Sequence, residues 1–227
     1  MNFTQSEKLS STKAIVHGFA NRKIGTDEAA IRKQFDLSKV AQLKQIHSGD
    51  VIILDDIETH RNSIEGDALV TKLRGIGIGI RTADCVPILL TDRNKLVIAA
   101  VHAGWRGTYL EIALNTLKII DSQFGITPGE LIAVIGPSIK SCCYEVGEDV
   151  ADRFYEKFQN TDLYMSKIDN SKYLLDLSKA NKLMLQSVGV EEIEILDICT
   201  KCENNFYSYR REGKGVSTQL SFIALIP

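Results

Sequence analysis

Three side chains of this sequence are of the types that hold a soft divalent metal, and each stands where an apolar run meets turn-forming residues. His47 lies in Gln-Ile-His-Ser-Gly-Asp, Cys85 in Arg-Thr-Ala-Asp-Cys-Val-Pro and His102 in Ala-Val-His-Ala-Gly-Trp-Arg-Gly. Two imidazoles and a thiolate suit Zn²⁺, and three protein ligands leave a fourth position for water, the arrangement of a catalytic rather than a structural site. The same set could instead make Cys85 a nucleophile with His102 as its base. Separations of 38 and 17 residues match no local zinc-finger pattern. Residue type and spacing therefore leave these readings open beside a third, that all three are packed core side chains.

Arg22, Arg81, Arg106, Arg210 and Arg211 fall in segments rich in turns and small residues. They can serve as anion ligands or as exposed ion-pair partners. Arg106 is expected just before a helix over residues 108–124, whose N-terminal amides would welcome an anion. Asp67 and Asp84 adjoin the motifs and are candidates for proton transfer or for orienting a histidine. Among the other cysteines, Cys199-x-x-Cys202 has metal-like spacing, but Cys142 and Cys143 are adjacent. That favours buried thiols over a Cys₄ site or a thioredoxin-type redox pair. With five cysteines in all, a complete disulfide framework is excluded.

The elements that must position these groups read as mixed strand and helix. Runs rich in Ile, Val and Leu predict strands over residues 14–19, 44–46, 51–54, 68–71, 75–81, 86–91, 96–102, 132–135, 193–198 and 220–225. Helical periodicity appears over 28–35, 108–124, 146–158 and 177–188, with Asp176 as an N-cap and Gly125 after the second helix. Neighbouring strands such as 75–81 and 86–91 are too close for a crossover helix. The expectation is an α+β fold, a single layered αβα domain over residues 1–227 with a mixed β-sheet. Gly75, Gly77 and Gly79 precede a strand rather than a helix, which points to tight packing rather than a dinucleotide loop.

Composition narrows the partners. The net charge of −2 supplies no basic field for nucleic acid. The N-terminus lacks the apolar core of a secretory signal, and the apolar runs are strand-length, so the expectation is a cytoplasmic protein with no membrane segment. The sequence carries no signal of oligomeric state.

Taken together, the blocks resemble the bacterial YfiH-like laccase-domain family, described mostly as purine nucleoside phosphorylases with adenosine deaminase side activity. The resemblance rests on His17-Gly-Phe…Arg22, Gln45-Ile-His-Ser, Gly66-Asp-Ala-Leu-Val-Thr, Arg81-Thr-Ala-Asp-Cys-Val-Pro, Ala100-Val-His-Ala-Gly-Trp-Arg-Gly, Gly136-Pro-Ser-Ile…Cys143-Tyr-Glu-Val-Gly, Asp176-Leu…Ala180-Asn and Phe206-Tyr-Ser-Tyr-Arg-Arg-Glu-Gly, in order over nearly the whole chain. It implies Zn²⁺ held by His47, Cys85 and His102, which are also the catalytic set, with Cu²⁺ able to take zinc's place. It implies phosphorolysis of adenosine, inosine and methylthioadenosine, with Arg22, Arg81, Asp67 and Arg211 as candidates for substrate or phosphate binding. Two other activities attach to the family name: copper-dependent polyphenol oxidation, for which four histidines are too few to build a full multicopper centre, and a Cys-His amidase acting in peptidoglycan editing. Two departures stand out. The family's paired glycines after Arg22 are reduced here to Arg22-Lys-Ile-Gly25, and its arginine after the Arg-Arg block is missing from Gly213-Lys-Gly-Val-Ser-Thr-Gln219.

Overall fold

The computed structural model describes residues 2–11, 14–57, 63–94 and 96–226, so His60 lies outside the described residues. Two sheets lie face to face at the centre. The six-stranded sheet runs Glu192–Ile195, Leu131–Ile135, Val86–Asp92, Ile98–Ala103, Ala68–Thr71, Val51–Ile53 in spatial order. Its two outermost pairings are parallel and its interior pairings antiparallel. The five-stranded sheet runs Phe3–Thr4, Ile15–Ala20, Gln219–Leu225, Gly77–Thr82, Val40–Ala41. A small third sheet joins Glu145–Gly147, Lys172–Leu175 and Met165–Lys167.

The strand Val86–Asp92 shows why these runs are apolar without alternation. Ile88 and Leu90 face the helices Ile112–Phe124, Glu148–Lys157 and Leu177–Ser187, whereas Leu89 faces the five-stranded sheet. Both faces of the strand are buried, so both must be apolar. The outer face of the five-stranded sheet packs on helix Glu28–Phe35 through Phe3, Ile31, Val40 and Phe222. The layered αβα arrangement with mixed pairing is therefore present, and its β layer is double. Gly79 sits where a Cβ would come within 3.1 Å of Leu220 Cδ1, the tight packing expected of the glycine triplet.

Three elements differ from the sequence expectation. The helix predicted over 108–124 is two helices, Trp105–Tyr109 and Ile112–Phe124, separated by Glu111 in the left-handed region (φ 58°). The break is held from outside. Asn115 Nδ2 donates to the carbonyls of Leu110 and Gly49 (3.1 and 3.2 Å), and Lys157 pairs with Glu111 at 3.2 Å. Leu110, an apolar residue within that predicted helix, is accordingly exposed. The helix predicted over 146–158 begins as the strand Glu145–Gly147 and turns helical at Glu148. Residues 44–46 form only a single bridge, Lys44 to Glu65. There the Gln45 side chain replaces a strand neighbour: its amide donates to the Arg81 carbonyl and accepts from the Arg81 N–H, both at 2.8 Å.

Candidate active site

The fold brings His47, Cys85 and His102 together from three separate elements. His47 lies in the loop after Val40–Ala41, Cys85 just before the strand Val86–Asp92, and His102 within the strand Ile98–Ala103. Antiparallel pairing places His102 opposite Pro87, beside the cysteine. The three ligand-type atoms lie within 4.8 Å of one another, and the two imidazole centroids are 4.9 Å apart at 78°. Donors around a tetrahedral zinc ion are separated by roughly 3.3–3.8 Å, given bond lengths of about 2.0–2.3 Å. The nitrogen–nitrogen–sulfur set therefore fits a zinc ion with small side-chain adjustments.

Asp67 organises this cluster from below and is fully buried. Its carboxylate meets His102 Nδ1 at 2.7 Å and accepts from the backbone N–H groups of Ile46, His47 and Ser48 at 3.2, 3.1 and 2.7 Å. The Ser48 hydroxyl also donates to it, at 3.1 Å. One carboxylate thus fixes the His102 ring, leaving its Nε2 for the cluster, and shapes the loop that presents His47. That loop needs fixing because His47 is in the left-handed region (φ 61°), a strain of about 1–3 kcal/mol for a non-glycine residue.

The charges reinforce one another. Burial would raise the Asp67 carboxyl, but hydrogen bonds from His102 and the Ser48 and Ile46 amides bring it down to about 2. Burial also opposes ionisation of Cys85, yet the neighbouring His102 and His47 rings hold its thiol down to about 6. The His102 imidazole, disfavoured by burial, is raised to about 9 by the Cys85 thiolate and Asp67. Gly104 completes the packing: a Cβ there would stand 2.9 Å from Cys85 Sγ and 3.4 Å from His47 Cδ2.

Above the cluster opens a cavity of about 760 Å³, a size suited to a small-molecule ligand. Trp105, Tyr144 and Tyr209 supply aromatic wall, and Arg81, Arg106 and Arg210 supply positive charge. Arg106 lies inside the short helix Trp105–Tyr109, not ahead of a long one, and its guanidinium stacks 4.5 Å from the Trp105 ring. Thr82 also belongs to the lining, and its hydroxyl, buried away from solvent, has no hydrogen-bond partner among the described residues. Burial pushes the Tyr144 phenol well above its ordinary pKa, so it stays a protonated donor.

The other residues singled out in the sequence take different places. Arg22 and Arg211 are outside the cavity lining. Arg22 pairs with Glu212 and lies 4.6 Å over the Tyr207 ring. Arg211 donates to the carbonyls of Thr200 and Lys201 at 2.8 Å each and to Glu212 at 2.8 Å, stitching its loop together. The neighbouring Arg210 lines the cavity instead, and its N–H donates to Asp84 at 2.7 Å. Asp67 does not line the cavity: it is fully buried, and its oxygens face His102 and the 46–48 loop. Asp84 orients no histidine among the described residues: it accepts from Thr200 Oγ1 (2.6 Å), Ser208 Oγ (3.0 Å) and Arg210, and its own φ is 91°. Gly104, Thr82 and Tyr144 were not picked out as site residues by sequence reasoning, and Arg210 was named only as one of five possible anion ligands. Proximity to the motifs was the available signal, since Gly104 follows His102 by two residues and Thr82 precedes Cys85 by three.

The expectation of buried thiols fails for the remaining cysteines. Cys142 and Cys202 are exposed, Cys143 and Cys199 half-buried, and the four sulfur atoms form a second cluster. The turn at Lys140, where the N–H groups of Cys143 and Tyr144 both donate to the Lys140 carbonyl at 2.9 Å, folds the adjacent cysteines towards one point.

A layered α/β fold with a nitrogen–sulfur donor cluster at the floor of a cation-lined cavity defines a class of small-molecule enzyme sites with metal-binding capacity. The sequence profile described as multi-copper polyphenol oxidoreductase laccase matches residues 18–226, and the chain belongs to that family. It is 34% identical over 226 residues to a purine nucleoside phosphorylase of Clostridium acetobutylicum, covering 96% of this chain and 93% of that one. It is 38% identical over 195 residues to the adenosine deaminase RL5 of an unknown prokaryotic organism, covering 81% and 74%. A solved structure from Neisseria meningitidis superposes with a TM-score of 0.88 at 28% identity over 100% of both chains. Among the described residues no helix is long and apolar enough to cross a membrane.

Proposed function

We propose that this chain is a zinc-dependent purine nucleoside phosphorylase acting on adenosine, inosine and methylthioadenosine, with adenosine deaminase activity at the same site. The observation that carries the reading is the joint placement of the His47–Cys85–His102 cluster, aromatic wall and three arginines around one cavity. The relatives' names support the substrate class. When bound by His47, Cys85 and His102, zinc would supply a Lewis acid and an activated water.

The chain's own groups account for the rest. Trp105 and Tyr209 offer flat faces for a purine ring. Arg81 and Arg210 provide the charge that phosphate requires, and Arg106 adds to it. In phosphorolysis a phosphate oxygen forms a bond to ribose C1′ while the C1′–N9 bond breaks and its electron pair stays on the purine. The Tyr144 hydroxyl is a neutral donor available to polar atoms of the departing base. In deamination water adds at C6 and ammonia leaves, which requires the purine edge rather than C1′ to face the cluster.

A specific observation favours one alternative. Cys85, His102 and Asp67 stand in line as thiolate, imidazolium and carboxylate, the arrangement of a cysteine hydrolase or amidase. One experiment separates the two. Metal content is measured on protein purified without a metal-binding tag, and adenosine with phosphate is assayed before and after chelation. Zinc bound at the cluster, base release dependent on phosphate, and loss of both in His102→Ala support the phosphorylase. Activity untouched by the chelator but abolished in Cys85→Ser supports the hydrolase and overturns the phosphorylase.

A further inference from the structure

We propose that Cys142, Cys143, Cys199 and Cys202 form a second, four-thiolate zinc site that staples one wall of the cavity. A tetrahedral Zn–S₄ centre with bonds of about 2.3 Å has sulfur–sulfur edges of about 3.8 Å. The observed separations are 3.7 Å for Cys142–Cys143, 3.8 Å for Cys142–Cys202 and 3.4 Å for Cys143–Cys202, and all four sulfurs lie within 4.8 Å of one another. A disulfide needs its two sulfurs at about 2.05 Å. The arrangement is instead a four-cornered one, open to solvent on the side of Cys142 and Cys202, through which a metal can enter.

The surroundings fit a dianionic centre. Lys140 is 6% exposed, and its Nζ donates to Ser178 Oγ at 3.0 Å. Its charge interacts favourably with Asp176 and Asp197 and with the Cys199 and Cys142 sulfurs, so it lies where part of the negative charge of four thiolates would be offset. Two turns from distant parts of the chain bring the ligands together. The first is the Lys140 turn. The second is closed by Glu203 N–H donating to the Cys199 carbonyl at 3.0 Å, and a short parallel bridge from Ser138 to Cys199 locks the two segments side by side.

Such a site has a structural consequence for the cavity. Tyr144, directly after Cys143, lines it, and so does Arg210. Thr200, directly after Cys199, binds Asp84 beside Cys85, and the Thr200 and Lys201 carbonyls anchor Arg211. None of the four cysteines lines the cavity. A metal bound by them would hold this wall in place and take no part in chemistry.

The test counts zinc on the whole protein, prepared under reducing conditions with zinc in the medium. Elemental analysis should give one zinc fewer per chain in Cys202→Ser than in wild type. His102→Ala should lose a different one, so failure of the phosphorylase reading and of this proposal are read separately. Should Cys202→Ser not fold, alkylation of the wild-type chain mapped by mass spectrometry decides. Expected is protection of Cys142, Cys143, Cys199 and Cys202 as a set, lost together on chelation, with faster proteolysis between residues 199 and 212. Free alkylation of all four in zinc-loaded protein, a disulfide among them under the same conditions, or unchanged zinc in Cys202→Ser overturns the proposal.

Discussion

Among the described residues soft donor atoms gather at two places, and their supports differ. His47, Cys85 and His102 rest on one buried carboxylate, Asp67, and face a cavity. Cys142, Cys143, Cys199 and Cys202 rest on backbone turns near the surface, behind one wall of that cavity and outside its lining. Three donors below a cavity leave room for a substrate, whereas four donors complete a tetrahedron and leave none. The supports therefore fail in different ways, and variants of them separate the two clusters.

The largest effect is expected at Asp67. In Asp67→Ala the His102 ring and three loop amides lose their acceptor inside the protein, at a cost of about 3–5 kcal/mol. Asp67→Asn keeps the shape and should weaken metal binding at the imidazole cluster by about 10–100-fold. A chelator competition that separates the two metal populations checks this. Equal weakening at the thiol cluster would mean that Asp67 acts through global stability rather than by positioning His102.

Next comes His17, remote from both clusters. Burial lowers its pKa from 6.5 to about 4, opposed in part by Glu194, and its Nε2 accepts from the Ser6 N–H at 2.8 Å. The folded state therefore resists protonation that the unfolded chain accepts. The stability tied to the neutral ring is present above pH 6.5 and is lost as pH falls towards 4, amounting to at most about 3 kcal/mol. Denaturant unfolding of wild type and His17→Gln at pH 7.5 and pH 4.5 should show a smaller pH penalty in the variant. Equal penalties would assign the acid sensitivity to other groups.

Gly104→Ala isolates the cavity cluster. The new methyl meets Cys85 Sγ at 2.9 Å and must displace the thiol or the turn. A displacement approaching 1 Å costs on the order of 10²-fold in turnover, with stability changed far less. Turnover within twofold of wild type would show that the Cys85 position is not critical.

The layers and most strands were legible because their apolar runs carry the period-free pattern of doubly buried strands, as in Val86–Asp92. The donor set at His47, Cys85 and His102 was recognisable through the motifs, although spacing alone did not distinguish ligands from core. What was hidden depended on contacts far apart in sequence. Glu111 breaks a helix whose periodicity is unbroken, because Asn115 and Lys157 hold the break from outside. Adjacent Cys142 and Cys143 read as poor ligands because the sequence does not show the turn at Lys140. Arg210 and Arg211 are neighbours of identical type, and only the Asp84 and Thr200 contacts reveal which faces the cavity.

The smallest effect concerns the arginine that the family resemblance implies and this chain lacks. The segment from Gly213 to Gln219 passes the cavity at Gly215, Val216 and Thr218. This wall is therefore uncharged, and under the proposed function phosphate recognition falls to Arg81, Arg106 and Arg210 on the other walls. Thr218→Arg restores a guanidinium at a partly solvated position, where one added charge contributes about 1 kcal/mol and is screened by salt. The expected result is a fall in the phosphate KM of about fivefold at low ionic strength, shrinking as salt is added, with the nucleoside KM unchanged. The paired variant Arg210→Ala should raise the phosphate KM in the same assay, and Arg211→Ala should instead lower thermal stability by loosening the 200–206 loop. A shift in the nucleoside KM alone would place the purine, not the phosphate, beside Thr218 and overturn that expectation.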